Sequence, residues 1–61
     1  MPYIDVKIFE SRLDEDSERA LVERLTDAVA DVFGESARDQ TWVTLTGLPP
    51  RRWGIGGKQA G

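Results

Sequence analysis

Three places in the sequence hold residue types that could do chemistry: Pro2 directly after Met1, Arg12, and the run Arg51-Arg52-Trp53. Methionine aminopeptidase generally removes Met when the next residue is small, and proline qualifies; Pro2 would then carry a free secondary amine. An α-amine has a reference pKa of about 7.7–8.0. Burial in an apolar pocket, or nearby cations, would lower it towards neutrality, where a general base works best. The plainer reading is that Pro2 merely opens a strand, a place where proline is tolerated. Arginine's planar fork clamps a carboxylate bidentately, so Arg12 and Arg52 suit an anionic ligand. Trp53 offers an apolar wall that would exclude water and disfavour a charged amine. Taken singly, each arginine reads equally as a surface residue and Trp53 as core or interface.

The composition removes most competing chemistries. The chain has 61 residues, no cysteine and no histidine. The common zinc sites, thiol nucleophiles and Ser-His machines therefore have no ligands or bases to use, and no metal is expected. The net charge of −3 argues against nucleic acid, whose binders carry a basic patch or stripe. No apolar run approaches the ~20 residues needed to span a bilayer, and the start of the chain lacks the basic and apolar stretches of a signal peptide. A cytoplasmic protein with no membrane contact is the expectation. One domain over 1–61 of this size buries only about 60% of its unfolded surface. With disulfides and zinc excluded, association into a homo-oligomer is the remaining staple.

Charge is uneven. Residues 36–61 hold one acid, Asp39, against Arg38, Arg51, Arg52 and Lys58, so the C-terminal part is locally positive on an acidic chain. That pattern suits either a solvated tail or a small pocket for an anion. Gly54-Ile55-Gly56-Gly57-Lys58 lacks the spacing of a phosphate loop; its glycines read instead as positions for positive φ. The helix carboxylates read as a solvated face.

The elements that must position these residues follow from periodicity. Residues 3–9 alternate, with Ile4, Val6 and Ile8 on one face and Tyr3, Asp5, Lys7 and Phe9 on the other, which predicts a half-buried strand. Asp14 is placed as an N-cap, with Glu15, Asp16 and Glu18 on the positive end of the helix dipole. Leu21, Leu25, Ala28, Val29, Val32 and Phe33 then form one helical stripe, and Gly34 stops the helix; the predicted span is 14–33. Thr41 to Thr46 reads as a second strand, ended by Gly47, Pro49 and Pro50. Residues 51–57 read as a loop or short hairpin. Strand, helix, strand is a βαβ unit with parallel strands: an α+β fold, a single β-α-β unit plus a C-terminal hairpin or loop. Two strands make a poor sheet, so dimerisation is expected to complete it.

Together these residues resemble the 4-oxalocrotonate tautomerase family over nearly the whole chain. The resemblance rests on Met1-Pro2 before a strand, Glu10-Ser11-Arg12 before an acidic helix start, a helix of about 20 residues, a second strand, and Arg52-Trp53-Gly54-Ile55-Gly56-Gly57. It implies dimers sharing a four-stranded sheet and three dimers in a hexamer, some relatives being heterohexamers or fused chains. It implies a tautomerase or isomerase that moves a proton within small anionic enol or unsaturated 2-oxo acids, with no cofactor. Pro2 matches the base and Arg12 the arginine that binds a distal carboxylate. Trp53 matches the aromatic that shapes the pocket and helps depress the proline pKa. Well-known members carry an arginine early in the second strand; here Trp42 stands in its place, a substrate-binding candidate of different character, and Arg51, Arg52 or Arg38 is left to compensate. Ser11 stands where glycine is common. Two alternatives follow: a related hydratase, dehalogenase or decarboxylase using a protonated proline, or a non-catalytic subunit of a hetero-oligomer.

Overall fold

The computed structural model describes residues 2–60; Met1, and with it the expected removal of that residue, lies outside the described residues. Strand β1 spans Tyr3–Phe9, helix α1 Glu15–Phe33 and strand β2 Trp42–Leu48. β1 and β2 pair in parallel, Tyr3 opposite Trp42 through to Phe9 opposite Leu48. The expected β-α-β unit is therefore present. A hairpin of β3 (Gly54–Ile55) and β4 (Lys58–Gln59) follows, which resolves the expected loop or hairpin in favour of the hairpin. Gly56 and Gly57 turn it at φ 60° and 84°, the two consecutive positive values of a type I′ turn, which suits the right-handed twist of paired strands.

Local chemistry explains the boundaries. Asp14 caps α1: its side chain accepts from the Ser17 amide at 2.8 Å, and the Ser17 hydroxyl accepts from the Asp14 amide at 2.9 Å. This reciprocal box satisfies two of the helix's orphan donors. At the other end the Gly34 amide donates to the Ala30 carbonyl at 2.8 Å, with Gly34 at φ 100° and ψ 160°, a region essentially reserved for glycine. The connectors are 3-10 turns, at Glu10–Arg12, Glu35–Gln40 and Pro50–Arg52.

Two expectations need correction. β2 does not stop before Gly47 but runs to Leu48. It does so because Gly47 lets the strand pass under the Glu10–Leu13 turn: a Cβ there would lie 3.1 Å from Leu13 Cδ1 and 3.2 Å from Glu10 Cα. Gly47→Ala is expected to destabilise the protein by about 1–3 kcal/mol through overpacking against Leu13 Cδ1 and Glu10 Cα, read as a lower urea midpoint at fixed protein concentration.

The second correction concerns the helix stripe. Leu21, Leu25 and Val29 are half-buried and Ala30 is buried, but Ala28, Val32 and Phe33 are exposed, the last two at 75% and 72%. Two strands about 4.8 Å apart are too narrow to cover the whole apolar arc of a helix about 10 Å wide. Among the described residues Ala30 is the one buried apolar residue. The radius of gyration, 14.3 Å, exceeds the roughly 10–11 Å expected of a compact domain of this length. No helix is long and apolar enough to cross a membrane among the described residues.

The sheet face away from α1 is polar at its centre. Tyr3 Oη and Thr44 Oγ1 are 2.8 Å apart, and Thr44 and Thr46 both donate to Asp5 Oδ1 at 3.0 and 3.3 Å. Lys7 also bonds to Asp5. The Lys7 bond, followed by that from Thr44, holds the Asp5 carboxyl below its usual range, and Asp5 raises Lys7 in turn.

Candidate active site

Because β1 and β2 are parallel, the site candidates sort to two ends. Pro2 sits at the head of β1, half-buried, and its carbonyl accepts from the Trp42 amide at 2.9 Å. Pro2 and Trp42 are therefore neighbours. Arg12 follows the far end of β1 and Arg52-Trp53 follows the far end of β2. Seven strand residues at about 3.3 Å each put that end ~20 Å from Pro2. The chain thus brings Pro2 together with Trp42, and Arg12 to the same end as Arg52 and Trp53, but it does not bring Pro2 to Arg12.

The distal end is built by three constraints. The Leu13 amide donates to the Glu10 carbonyl at 3.0 Å and closes the turn that carries Arg12. The Ser17 hydroxyl, besides capping α1, donates to the Arg12 carbonyl at 3.1 Å, so the helix start anchors that turn. Gly47 lets β2 lie directly beneath it. Trp53 is set by the Pro50–Arg52 turn, its amide donating to the Pro50 carbonyl at 3.0 Å. Its ring meets Phe9 at a centroid distance of 5.0 Å and an interplanar angle of 48°, a favourable tilted aromatic contact. Trp53 Nε1 is buried with no acceptor. An orphaned buried donor costs about 1–3 kcal/mol, so an acceptor arriving with an assembled partner or a ligand would relieve it.

The charges divide along the same axis. Arg12, Arg51 and Arg52 are exposed and take part in no ion pair among the described residues. Arg38 lies in the turn leading into β2, with the Thr41 amide donating to its carbonyl at 3.2 Å. Arg38 donates to Glu35 Oε1 at 2.5 Å and to Asp27 Oδ1 at 2.7 Å; the Glu35 bond, then the Asp27 bond, raises its guanidinium further above its already high pKa. Two carboxylates offset its one charge. Of the arginines left to compensate for the one absent from β2, Arg38 is already engaged. The solvated-face reading of the helix carboxylates does not pair Asp27 with Arg38. The helical periodicity held no signal for a pairing across the Gly34 break.

Residues 2–61 match the family model described as tautomerase enzyme. A protein of Halalkalibacterium halodurans named as a probable tautomerase is 39% identical over 59 residues, which span 97% of this chain and 93% of that one. Among solved structures, one of the 4-oxalocrotonate tautomerase isozymes of Methylibium petroleiphilum is 29% identical, with a TM-score of 0.81 over 97% of this chain and 92% of that one. The SAR1376 protein of methicillin-resistant Staphylococcus aureus is 27% identical, with a TM-score of 0.83 over the same shares of each chain. The similarity runs through both strands, the helix and the hairpin, so the ends that carry Pro2 and Arg12 are covered along with the scaffold. The chain belongs to the tautomerase family.

Proposed function

We propose that the protein is a cofactor-independent tautomerase of small anionic enol or unsaturated 2-oxo acids, with Pro2 as general base once Met1 is removed. The neutral amine takes the proton of the enol hydroxyl or of an allylic carbon. The electron pair left behind shifts through the conjugated system, and Pro2 returns the proton to another carbon. Nothing is consumed, and the product is an isomer. Arg12 fixes a carboxylate, Arg52 adds a second donor fork, and Trp53 keeps the pocket dry. Water exclusion there favours the uncharged amine. Trp42 bounds the pocket beside Pro2.

The observation that carries this reading, beyond family membership, is the separation of chemistry along the strands. A base lies at one end of the chain and unpaired arginines at the other, so a complete pocket needs the Pro2 end of one copy against the Arg12 end of another. The exposed Val32 and Phe33 and the open sheet edges supply surface for that assembly, for which we take the homohexamer of three dimers.

Shared sites make a direct test. Pro2→Ala and Arg12→Ala chains, each strongly impaired alone, are denatured together and refolded as a mixture. If each site draws on two copies, roughly a quarter of the sites regain both intact halves by random assortment in a symmetric assembly. Activity recovered to that order supports the shared pocket. A mixture no better than its parents refutes it.

A second reading has one observation in its favour. Arg38 is neutralised by Asp27 and Glu35, so this chain's own charges at the Pro2 end favour a protonated amine, which would act as an acid in a hydratase- or lyase-type reaction. Nuclear magnetic resonance titration of Pro2 separates the two: a pKa well above 8 belongs to the acid.

A further inference from the structure

Between α1 and the strand that tethers Pro2 lie Gly34 and the Glu35–Gln40 turn, a segment with little to keep it in one place. Resting on the tautomerase reading above, we propose that Arg38 is a positioning residue for Pro2: its bond to Asp27 clamps the turn onto α1 and so fixes the start of β2, to which the Pro2 carbonyl is tied.

The turn lacks the usual means of holding itself. A 3-10 run of six residues, Glu35–Gln40, is longer than this helix type commonly sustains. Ala37 is its one apolar side chain, half-buried, so burial holds it weakly. It hangs from Gly34 at φ 100°, a residue whose missing Cβ leaves the backbone more freedom than any other. Among the described residues one side-chain hydrogen bond joins this turn to α1: Arg38 Nη1 donates to Asp27 Oδ1 at 2.7 Å. Nε of the same guanidinium donates to Glu35 Oε1 at 2.5 Å. The planar group thus spans the Gly34 break, bound to the helix on one side and to the first residue of the turn on the other. Two bonds from one rigid fork fix orientation as well as distance.

From Arg38 the constraint passes along the backbone. The Thr41 amide donates to the Arg38 carbonyl at 3.2 Å, and the Thr41 hydroxyl donates to the Ala37 carbonyl at 2.8 Å, so Thr41 moves with the turn. The next amide, that of Trp42, donates to the Pro2 carbonyl at 2.9 Å. As the first residue of a processed chain, Pro2 is tethered by chain on one side only, and this bond grips it directly. A turn that swings about Gly34 takes the Trp42 amide with it, and the Pro2 amine follows. The clamp is partly exposed, and exposed ion pairs add little to stability. Its effect therefore falls on where the base sits rather than on whether the chain folds.

Steady-state kinetics of Arg38→Met and Asp27→Ala, each alone and each combined with Pro2→Ala, test the clamp on full-length protein shown by sedimentation to be assembled. The probes are phenylenolpyruvate and the enol form of 4-oxalocrotonate. Each variant alone should lower kcat by about tenfold, within the roughly 10²-fold that a misplacement of about 1 Å can cost, with KM and melting temperature nearly unchanged. One variant removes a positive charge and the other a negative one. Charge acting through space on Pro2 would drive them in opposite directions, whereas loss of the clamp drives both the same way. Combined with Pro2→Ala, whose amine is already loose, neither should lower kcat further, the non-additivity expected of residues that act as one unit. If Arg38→Met fails to assemble, Asp27→Ala decides. Opposite effects of the two variants, losses that multiply with that of Pro2→Ala, or an unchanged kcat in assembled Asp27→Ala protein overturn the proposal. Turnover of neither probe by wild type overturns the tautomerase reading itself, whereas Pro2-dependent turnover that Asp27→Ala leaves intact overturns the clamp alone.

Discussion

A chain that keeps Met1, or that carries an extension ahead of Pro2 which the cell cannot trim, is expected to turn over about 10²–10⁴-fold more slowly, the range a positioned general base contributes. The cause is elementary: acylated, the Pro2 nitrogen becomes an amide with no basic lone pair. KM should change little, because the proton transfer is made only on the way to the transition state. Pro2→Ala is the gentler variant. Alanine is also small, so Met1 is still removed and a primary amine remains, but the ring that ties the nitrogen to the side chain is gone and the amine is no longer held in place. Its kcat should fall by a smaller factor, about 10–10². Intact mass establishes which terminus each preparation carries, and steady-state rates do the rest. In the wild type, kcat/KM should decline on the acid side as Pro2 takes up a proton before substrate arrives. Full turnover by a chain whose mass includes Met1 would remove Pro2 from the mechanism.

Arg12→Ala should act through KM. A bond between charged groups contributes about 1.5–3 kcal/mol, so losing the carboxylate clamp should lower kcat/KM by about 10- to 100-fold, mostly as weaker substrate capture. Arg12→Lys keeps the charge without the fork and should recover only part of it. The fold should not notice either change. The Arg12 side chain makes no ion pair among the described residues, and the bond that holds its turn uses the Arg12 carbonyl, which every substitution retains. An unchanged melting temperature with a raised KM is the expected pair of results. A variant with wild-type KM would show that the substrate carboxylate is held elsewhere, with Arg52 the next residue to replace.

The scaffold was readable in the sequence where one local rule governed. The alternation of Ile4, Val6 and Ile8 placed β1, and Asp14 with Gly34 placed both ends of α1 to within a residue. The reading failed where a distant contact decided. Gly47 looks like a strand terminator, but the close approach of Glu10 and Leu13 makes it a strand residue where any side chain is crowded. Val32 and Phe33 continue the helical period faithfully, yet one chain has too little sheet to cover them. For the site, the residue types suggest the proposed chemistry: Pro2, the arginines and Trp53. Their separation to opposite ends follows from the parallel pairing of β1 and β2, which periodicity implies but does not measure. The engagement of Arg38 by Asp27 crosses the break between α1 and the next turn, and no local pattern encodes it, whereas its pair with Glu35 is an i,i+3 contact within that turn.

Among the described residues Ala30 alone is buried within one chain, so in the proposed assembly folding and self-association are nearly one equilibrium. Dilution then acts as a denaturant: melting temperature rises with concentration, as it does wherever the folded state is held by its partners. Specific activity, ordinarily a constant of an enzyme, becomes a property of how much of it is in the tube.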